Sequence, residues 1–386
     1  MQIEVAQLAR FPAIAGQTIT PLDCAIIVPT LNERENIPVL IEALHRVLAA
    51  WTYEVIIVDD WSTDGTPDMV MALAVRYGNV RLIQRYGRRG LSTAVIEGML
   101  STIAPIVAVI DADMQHDEAI LPTMIDAVMS GRDVAIGSRY CAEGSIGDWD
   151  GQRAQGSKIA TWLSQRMLKT DVTDPMSGFF VVRRSAVIAA LPRMSNVGFK
   201  VLLDILASSP EPLTVAEFPY QFRSRMAGES KLDSSVAIDF FMLLLDKKFG
   251  SVVSPRLLMF AAVGSLGLLV HLSILQLIMA LPLSSIDIQN QFNIAQSAAV
   301  ICAIAFNFTL NNMLTYRDRR LKGRALIFGL LSFYAVCGLG AVANVGVGSF
   351  VFRNDHNSML AGVAGAIVGS VWNYAASSLL TWRKRA

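Results

Sequence analysis

Histidine, cysteine and charge are all scarce in this chain of 386 residues, and each scarcity narrows what it does. The four histidines (His45, His116, His271, His356) are not spaced as a metal set, and none stands in a Ser-His or His-Asp arrangement for nucleophilic catalysis. Four cysteines (Cys24, Cys141, Cys302, Cys337) show neither metal nor disulfide spacing and read as reduced packing residues. Charged residues make up only 17% against 53% hydrophobic, and 33 Lys plus Arg balance 32 Asp plus Glu, so global charge gives no sign of a nucleic-acid partner, and none is expected. The first twenty-odd residues hold Glu4, Arg10 and Pro12 without a continuous apolar core, which argues against a cleaved signal peptide.

What is present falls into two regimes. Up to about residue 250, short apolar runs at 24–28, 55–58, 80–83, 106–110 and 134–136 alternate with amphipathic, helical-length segments at 36–50, 67–77, 91–101 and 118–130. Alternation of this kind predicts a mostly parallel sheet covered on both faces, with ligands outside the carboxyl ends of the strands. Polar motifs sit at those ends: Pro29-Thr30-Leu31-Asn32-Glu33, then Asp59-Asp60, then Asp111-Ala112-Asp113-Met114-Gln115. Scattered surface charge has no reason to repeat this placement, which favours a nucleotide site.

In an extended segment alternate side chains share a face, so Asp111, Asp113 and Gln115 point the same way at steps of roughly 7 Å. Two carboxylates and an amide oxygen suit Mg²⁺ or Mn²⁺, ions that keep waters and phosphate oxygens as further ligands. A lone Asp-x-Asp reads equally as an acidic turn after a buried strand. Asp60 and Asp64 have their own bland reading as turn or cap residues before a helix near Thr66. Residues 85–91 (Arg85-Tyr86-Gly87-Arg88-Arg89-Gly90-Leu91) form a basic, glycine-bearing loop opening a helix, either turned to a diphosphate or simply solvated.

Longer strings carry a resemblance. They are residues 28–37 (VPTLNERENI), 58–66 (VDDWSTDGT), 111–116 (DADMQH), 137–140 (GSRY), 174–179 (DPMSGF), 198–200 (GFK) and 228–232 (GESKL). In this order the chain resembles the family 2 glycosyltransferases with a GT-A fold, and within them the dolichyl/polyprenyl-phosphate mannose synthase group. The resemblance implies an α/β GT-A (Rossmann-like) catalytic domain over 24–233, following an N-terminal extension of 1–23. It implies a nucleotide-sugar site at Pro29, Asn32, Glu33, Asp59, Asp60, Arg88, Ala112 and Asp113. It puts Mn²⁺ or Mg²⁺ on Asp111, Asp113 and Gln115, bridging the donor diphosphate. It places Arg139, Arg153, Ser157, Arg225, Ser230 and Lys231 at an acceptor phosphate, with Asp111, Asp113, Arg139 and Arg153 as the catalytic set. Two departures stand out: Trp61 replaces a usually small residue, which bears on the base pocket, and Asp204 stands where glutamate is common.

The implied acceptor explains the missing catalytic base. A lipid monophosphate has a second pKa near 6 and is largely dianionic at neutral pH, so it attacks the sugar carbon unaided. The protein must supply cations that hold two repelling phosphates together. In-line attack inverts the anomeric carbon, and the absent Gln-x-x-Arg-Trp string argues for one transfer per lipid. Expected substrates are thus GDP-mannose and a polyprenyl phosphate, giving a β-linked product. A UDP-sugar donor such as UDP-glucose is the near alternative, and a lipid-linked sugar flippase with a binding-only N-terminal domain the distant one.

Beyond Pro255 the chain turns apolar, with spans at about 257–281, 295–314, 325–350 and 359–380, each sufficient to cross a bilayer. This predicts an all-α, four-helix transmembrane domain over 255–386 that resembles GtrA-like membrane domains. Arg317, Arg319, Arg320, Lys322 and Arg324 crowd the middle loop and Arg383-Lys384-Arg385 the end, which puts both termini and the catalytic domain in the cytoplasm, at the plasma membrane of a prokaryote. The spans repeat: Phe306-Asn307-Phe308 through Arg317 is echoed by Trp372-Asn373-Tyr374 through Arg383, and Phe260, Val263, Leu266 and Gly267 by Phe333, Val336, Leu339 and Gly340. His271, Asn307 and Asn373 are expected to hydrogen-bond between repeats. Residues 234–254 read as an interfacial helix and linker that holds the site at the bilayer surface.

Overall fold

The computed structural model describes residues 21–87, 90–142, 144, 160–166, 171–195, 200–223, 240, 242–247, 254–281, 288–355 and 358–383. Arg88, Arg153, Ser157, Arg225, Ser230 and Lys231 lie outside them. The chain divides into two compact units, Met1–Leu244 and Leu245–Ala386.

The first unit is built on β1 (Cys24–Thr30), β2 (Tyr53–Asp59), β3 (Val80–Gln84), β4 (Ile106–Val109), β5 (Val134–Ser138), β6 (Phe180–Arg183) and β7 (Val215–Pro219). These form one mixed sheet in the order β3-β2-β1-β4-β6-β5-β7. The five strands expected from apolar runs are β1 to β5, and β3-β2-β1-β4 pair in parallel. Two more strands were not expected: β6 lies antiparallel between β4 and β5, and β7 runs parallel to β5 on the far edge. The helices are α1 (Asn36–Val47), α2 (Thr66–Tyr77), α3 (Leu91–Leu100), α4 (Leu121–Met129), α5 (Arg184–Ala190) and α6 (Val201–Ser208).

Both sheet faces are covered, so the central strands are continuously apolar rather than alternating. One face packs Ile26, Val28 and Ile57 with Leu40 and Leu44 of α1 and Met124 and Ile125 of α4. The other packs Ile27, Ile56 and Val58 with Val95 and Met99 of α3 and Leu202 and Ile205 of α6. Pro29 sits in a central strand because β4 pairing stops at Ile27, two residues earlier, while Pro29 remains in register with Val58 of β2. Of the stretch expected to be interfacial, the helical segment 242–247 is described, and its Leu243 and Leu244 are buried against Met176 and Leu203 of this unit.

The second unit comprises α7 (Pro255–Met279), α8 (Ile288–Leu310), α9 (Arg324–Asp355) and α10 (Ser358–Ala376). Among the described residues, three helical stretches are long and apolar enough to span a membrane: Pro255–Met279, Ile294–Thr315 and Arg324–Ala343. The internal repeat is visible in the backbone. α8 and α10 each run into one turn of π-helix, Asn311–Thr315 and Ser377–Thr381, closed by Tyr316 N–H to Asn311 O (2.8 Å) and Trp382 N–H to Ser377 O (2.9 Å). The rings that follow meet face to face, Tyr316 on Trp382 with centroids 4.2 Å apart and planes 5° apart. Each reaches across to the other repeat: the Tyr316 hydroxyl bonds Ser378 Oγ (2.7 Å), and Trp382 Nε1 donates to Asn312 Oδ1 (3.0 Å). Asn312 and Ser378 are equivalent positions, so this is one contact made twice about a local two-fold axis.

The expected bonding of Asn307 and Asn373 between repeats is corrected here. Each amide packs within its own hairpin, Asn307 on Gly267 of α7 and Asn373 on Gly340 of α9, and both Oδ1 atoms find no hydrogen-bond partner. Only a residue without Cβ admits an amide this close. Gly267→Ala and Gly340→Ala are therefore expected to destabilise the unit by about 1–3 kcal/mol through overpacking. Gly338→Ala, with nothing within 4 Å of the added methyl, is the neutral control. A thermal unfolding series in detergent checks this.

Candidate active site

Three non-glycine residues among those described have left-handed backbone: Asn32 (φ 54°), Trp61 (φ 62°) and Met114 (φ 63°). Each follows the carboxyl end of a parallel strand, and those strands, β1, β2 and β4, are neighbours in the sheet. Such conformations cost about 1–3 kcal/mol each and persist where surrounding bonds over-determine them, typically beside ligands. Here the bonds link one loop to the next. Asn32 N–H donates to Ser62 Oγ (2.7 Å), Thr63 N–H donates to Asn32 Oδ1 (2.9 Å), and Arg223 N–H donates to Gln115 O (2.9 Å). No sequence signal announces this; a tryptophan or methionine is an improbable occupant of that backbone region.

The paired aspartates shape these loops. Asp59 is fully buried and accepts from Ser62 N–H (2.9 Å), Ser62 Oγ and Thr30 Oγ1 (3.2 Å). Asp60 pairs with the Arg85 guanidinium and accepts from Gly90 N–H (2.6 Å). Arg85 itself is buried, with further bonds to Thr93 Oγ1 (2.6 Å) and Glu97 (3.2 Å), so it is a structural counter-ion rather than a loop cation turned to solvent. Asp64 stands one residue before the Gly65 N-cap of α2 and accepts from Thr66 N–H (3.0 Å) and Arg34 N–H (3.1 Å), the turn role of the bland reading. Glu33 accepts from the Asn36 amide (2.7 Å) at the start of α1.

Residues 111–115 are not extended. β4 ends at Val109, and a turn through Met114 replaces the alternating geometry expected from the sequence. Asp113 is buried and its Oδ1 accepts from Gln115 N–H (3.2 Å), while the Asp111 side chain is 38% exposed. Ala112 is buried in the core behind them. The Gln115 amide donates to Arg223 O (3.1 Å), which fixes its nitrogen end on that carbonyl. Gly178 leaves room beside Asp111; a Cβ there would lie 3.1 Å from Asp111 Oδ2. His116, unassigned from sequence, backs the turn: its Nδ1 accepts from Asp111 N–H (3.3 Å) and its ring stacks on Phe179 at 5.2 Å. Burial pushes the imidazole down to about 4, so the ring near Asp111 is neutral at ordinary pH.

This donor set suits a hard divalent cation. Among the described residues no group of three His, Cys, Asp or Glu forms a closed metal cage. Two carboxylates and an amide on one turn at the carboxyl edge of the sheet, with space kept by a glycine, instead match an ion that shares its coordination with waters and phosphate oxygens.

Arg139 follows β5. Its Nε and Nη2 donate to both oxygens of Asp174 (2.7 and 2.8 Å), with the Arg139 side chain 10% exposed and Asp174 fully buried. Burial works against the guanidinium charge, but the Asp174 carboxylate overrides it and raises the pKa. Glu217 of β7, also missed from sequence, holds Asp174 in turn. It accepts from Thr173 N–H (2.9 Å), Thr173 Oγ1 (2.6 Å) and Asp174 N–H (3.1 Å). Asp204, the second departure, is buried and accepts from Ser195 N–H (3.0 Å) and Ser208 Oγ (3.0 Å), a structural role.

The fold and this edge define an α/β transferase domain joined to a membrane domain. Residues 25–190 match Glycosyl transferase family 2, and residues 259–382 match the GtrA/DPMS transmembrane domain. A dolichol-phosphate mannosyltransferase of Pyrococcus furiosus is 33% identical over 363 residues, covering 93% of this chain and 99% of that protein. One from Mycosarcoma maydis is 34% identical over 259 residues, 64% of this chain and 87% of that protein. Among solved structures, glucosyl-3-phosphoglycerate synthase from Mycobacterium tuberculosis aligns with a TM-score of 0.47 at 18% identity, covering 59% of this chain and 80% of that one. The chain belongs to the family 2 glycosyltransferases, in the dolichol-phosphate mannosyltransferase group, with a GT-A catalytic domain fused to a GtrA-like membrane domain. It is a glycosyltransferase and a membrane protein.

Proposed function

We propose that the protein transfers mannose from GDP-mannose to a polyprenyl phosphate of the dolichyl type, inverting the anomeric carbon. The observation that carries this reading is the Asp111–Asp113 turn standing beside the Arg139–Asp174 pair at the carboxyl edge of the sheet. The first suits a donor diphosphate with its cation, and the second suits a phosphate acceptor. The names of the relatives, dolichol-phosphate mannosyltransferase, supply the substrate class.

Asp111, Asp113 and the Gln115 amide would hold Mn²⁺ or Mg²⁺. When bound, the ion neutralises charge developing on the leaving diphosphate. The chain's own contribution is orientation: the left-handed turns fix the loops, and His116 and Gly178 shape the space around Asp111. Arg139 lends positive charge near the acceptor phosphate, and Arg153, Arg225 and Lys231 are assigned there by resemblance. The acceptor is its own nucleophile, so no buried base is required. The arginine-rich loop between α8 and α9 supports a cytoplasmic catalytic domain, and the membrane proposed is the plasma membrane of a prokaryote.

The test is transfer by purified, detergent-solubilised protein to a short polyprenyl phosphate. Radiolabelled GDP-mannose and UDP-glucose are offered separately with Mn²⁺, Mg²⁺ or EDTA. A mannolipid formed only with metal supports the reading. Product from UDP-glucose alone replaces the donor, and no lipid product from any nucleotide sugar removes the transferase assignment to this lipid.

A further inference from the structure

We propose that Trp61, with Tyr86 against its edge, is the platform on which the base of the nucleotide stacks, and that its two-ring surface favours a purine. This rests on the nucleotide reading of the sheet edge given above.

Trp61 directly follows Asp59 and Asp60 at the end of β2. Its backbone is held left-handed, yet its side chain goes outward: the residue is 46% exposed. Tyr86, after β3, is 66% exposed, its ring centroid 6.3 Å from that of Trp61 with the planes at 65°. The Tyr86 hydroxyl is tied to Gln84 Oε1 (2.6 Å), which holds that ring at the end of its strand. The largest side chain thus stands in solvent on a strained backbone. A non-glycine residue held in left-handed backbone is an outlier of the kind that clusters at ligand sites, and here it carries a half-exposed indole.

The neighbouring carboxylates explain why stacking must carry the base. Asp59 is fully buried and bonded to Ser62 and Thr30. Asp60 has one oxygen on Arg85 and the other on Gly90 N–H. These bonds aim the two loops, and with them the indole. What this end of the sheet edge then offers a flat heterocycle is an aromatic face with a second ring steeply inclined to bound it. Every base has a π-face, but a purine covers more of an indole than a pyrimidine does.

The experiment uses the full-length protein in detergent, with GDP and UDP as probes in calorimetric titrations. Glycine is at ease where φ is positive, so Trp61→Gly removes the ring without straining the turn and keeps the unfolding temperature. It is expected to weaken GDP binding about ten- to a hundredfold, UDP binding less, and to raise the donor KM with little change in kcat. Trp61→Phe recovers most of the affinity, and Tyr86→Ala shows a smaller loss. Wild-type GDP affinity in a folded Trp61→Gly overturns the proposal. Wild-type protein that binds neither nucleotide overturns the donor reading beneath it, and the two failures are told apart by the wild-type titration alone.

Discussion

Asp111→Asn is expected to lower turnover by about a hundred- to a thousandfold while the protein stays folded. The substitution keeps size and shape and removes one negative charge from a side chain that is 38% exposed, at the carboxyl edge of the sheet. Because the residue is not locked in the core, stability hardly depends on its charge. The local frame survives too: Asp111 N–H still donates to His116 Nδ1, and His116 still stacks on Phe179. What is lost is a hard anionic ligand, and an amide oxygen binds Mg²⁺ or Mn²⁺ far less well. Asp113→Asn is expected to cost as much activity and also some stability, since the buried Asp113 carboxylate caps the Met114 turn through Gln115 N–H. Initial rates across a metal titration at saturating donor separate the two causes. The variant should need more metal for half-maximal rate and reach a lower plateau. Full turnover by Asp111→Asn at the wild-type metal concentration would remove the carboxylate from the metal site.

Much of this site was legible in the sequence because two different pressures left different marks. Strands buried on both faces must be continuously apolar, so β1 to β5 show as runs, and the polar strings at their ends mark the loops at the carboxyl edge of the sheet. β6 carries the same mark, the buried apolar run Phe179 to Val182, but in the sequence it reads only as the end of the 174–179 string; β7 left none. β6 is four residues ending in Arg183, and β7 is half-exposed along its length and contains Glu217. The residue types at the site were readable, but their hydrogen-bond partners were not, because those partners are distant in sequence. Asp60 meets Arg85, Asp174 meets Arg139 and Glu217 meets Thr173. The left-handed turns escaped for another reason: Trp61 and Met114 are held there by neighbouring loops against their own preference. The extended Asp-x-Asp-x-Gln geometry failed on the same point. In the membrane unit the repeat itself was legible, but Asn307 and Asn373 were expected to bond across it. The glycine opposite each amide, Gly267 for Asn307 and Gly340 for Asn373, was the overlooked signal.

Asp174→Ala is expected to cost about 3–5 kcal/mol of stability and most of the activity, because it leaves the Arg139 guanidinium buried without its carboxylate. Arg139→Ala is expected to be as damaging, since it strands Asp174, fully buried, against the Glu217 carboxylate that already accepts its N–H. Neither single variant says whether Arg139 does more than hold its loop. The double variant Arg139→Met/Asp174→Leu does. Replacing both members of a buried ion pair with apolar groups of similar volume is often close to neutral for stability, because the desolvation cost of both charges disappears together. Arg139 also lies over Tyr140 (5.5 Å) and Phe222 (5.8 Å), surroundings that accept a methionine. The double variant is therefore expected to recover most of the unfolding temperature lost by either single change. Its turnover is expected to stay at least a hundredfold down, with the loss in the acceptor KM and kcat rather than in donor binding, because no neutral side chain offsets repulsion between two phosphates. Acceptor titrations at fixed donor, beside thermal unfolding of the same preparations, read both quantities. If the apolar pair restored turnover along with stability, Arg139 would be a strut for the loop at Asp174, and the cation facing the acceptor would have to come from elsewhere.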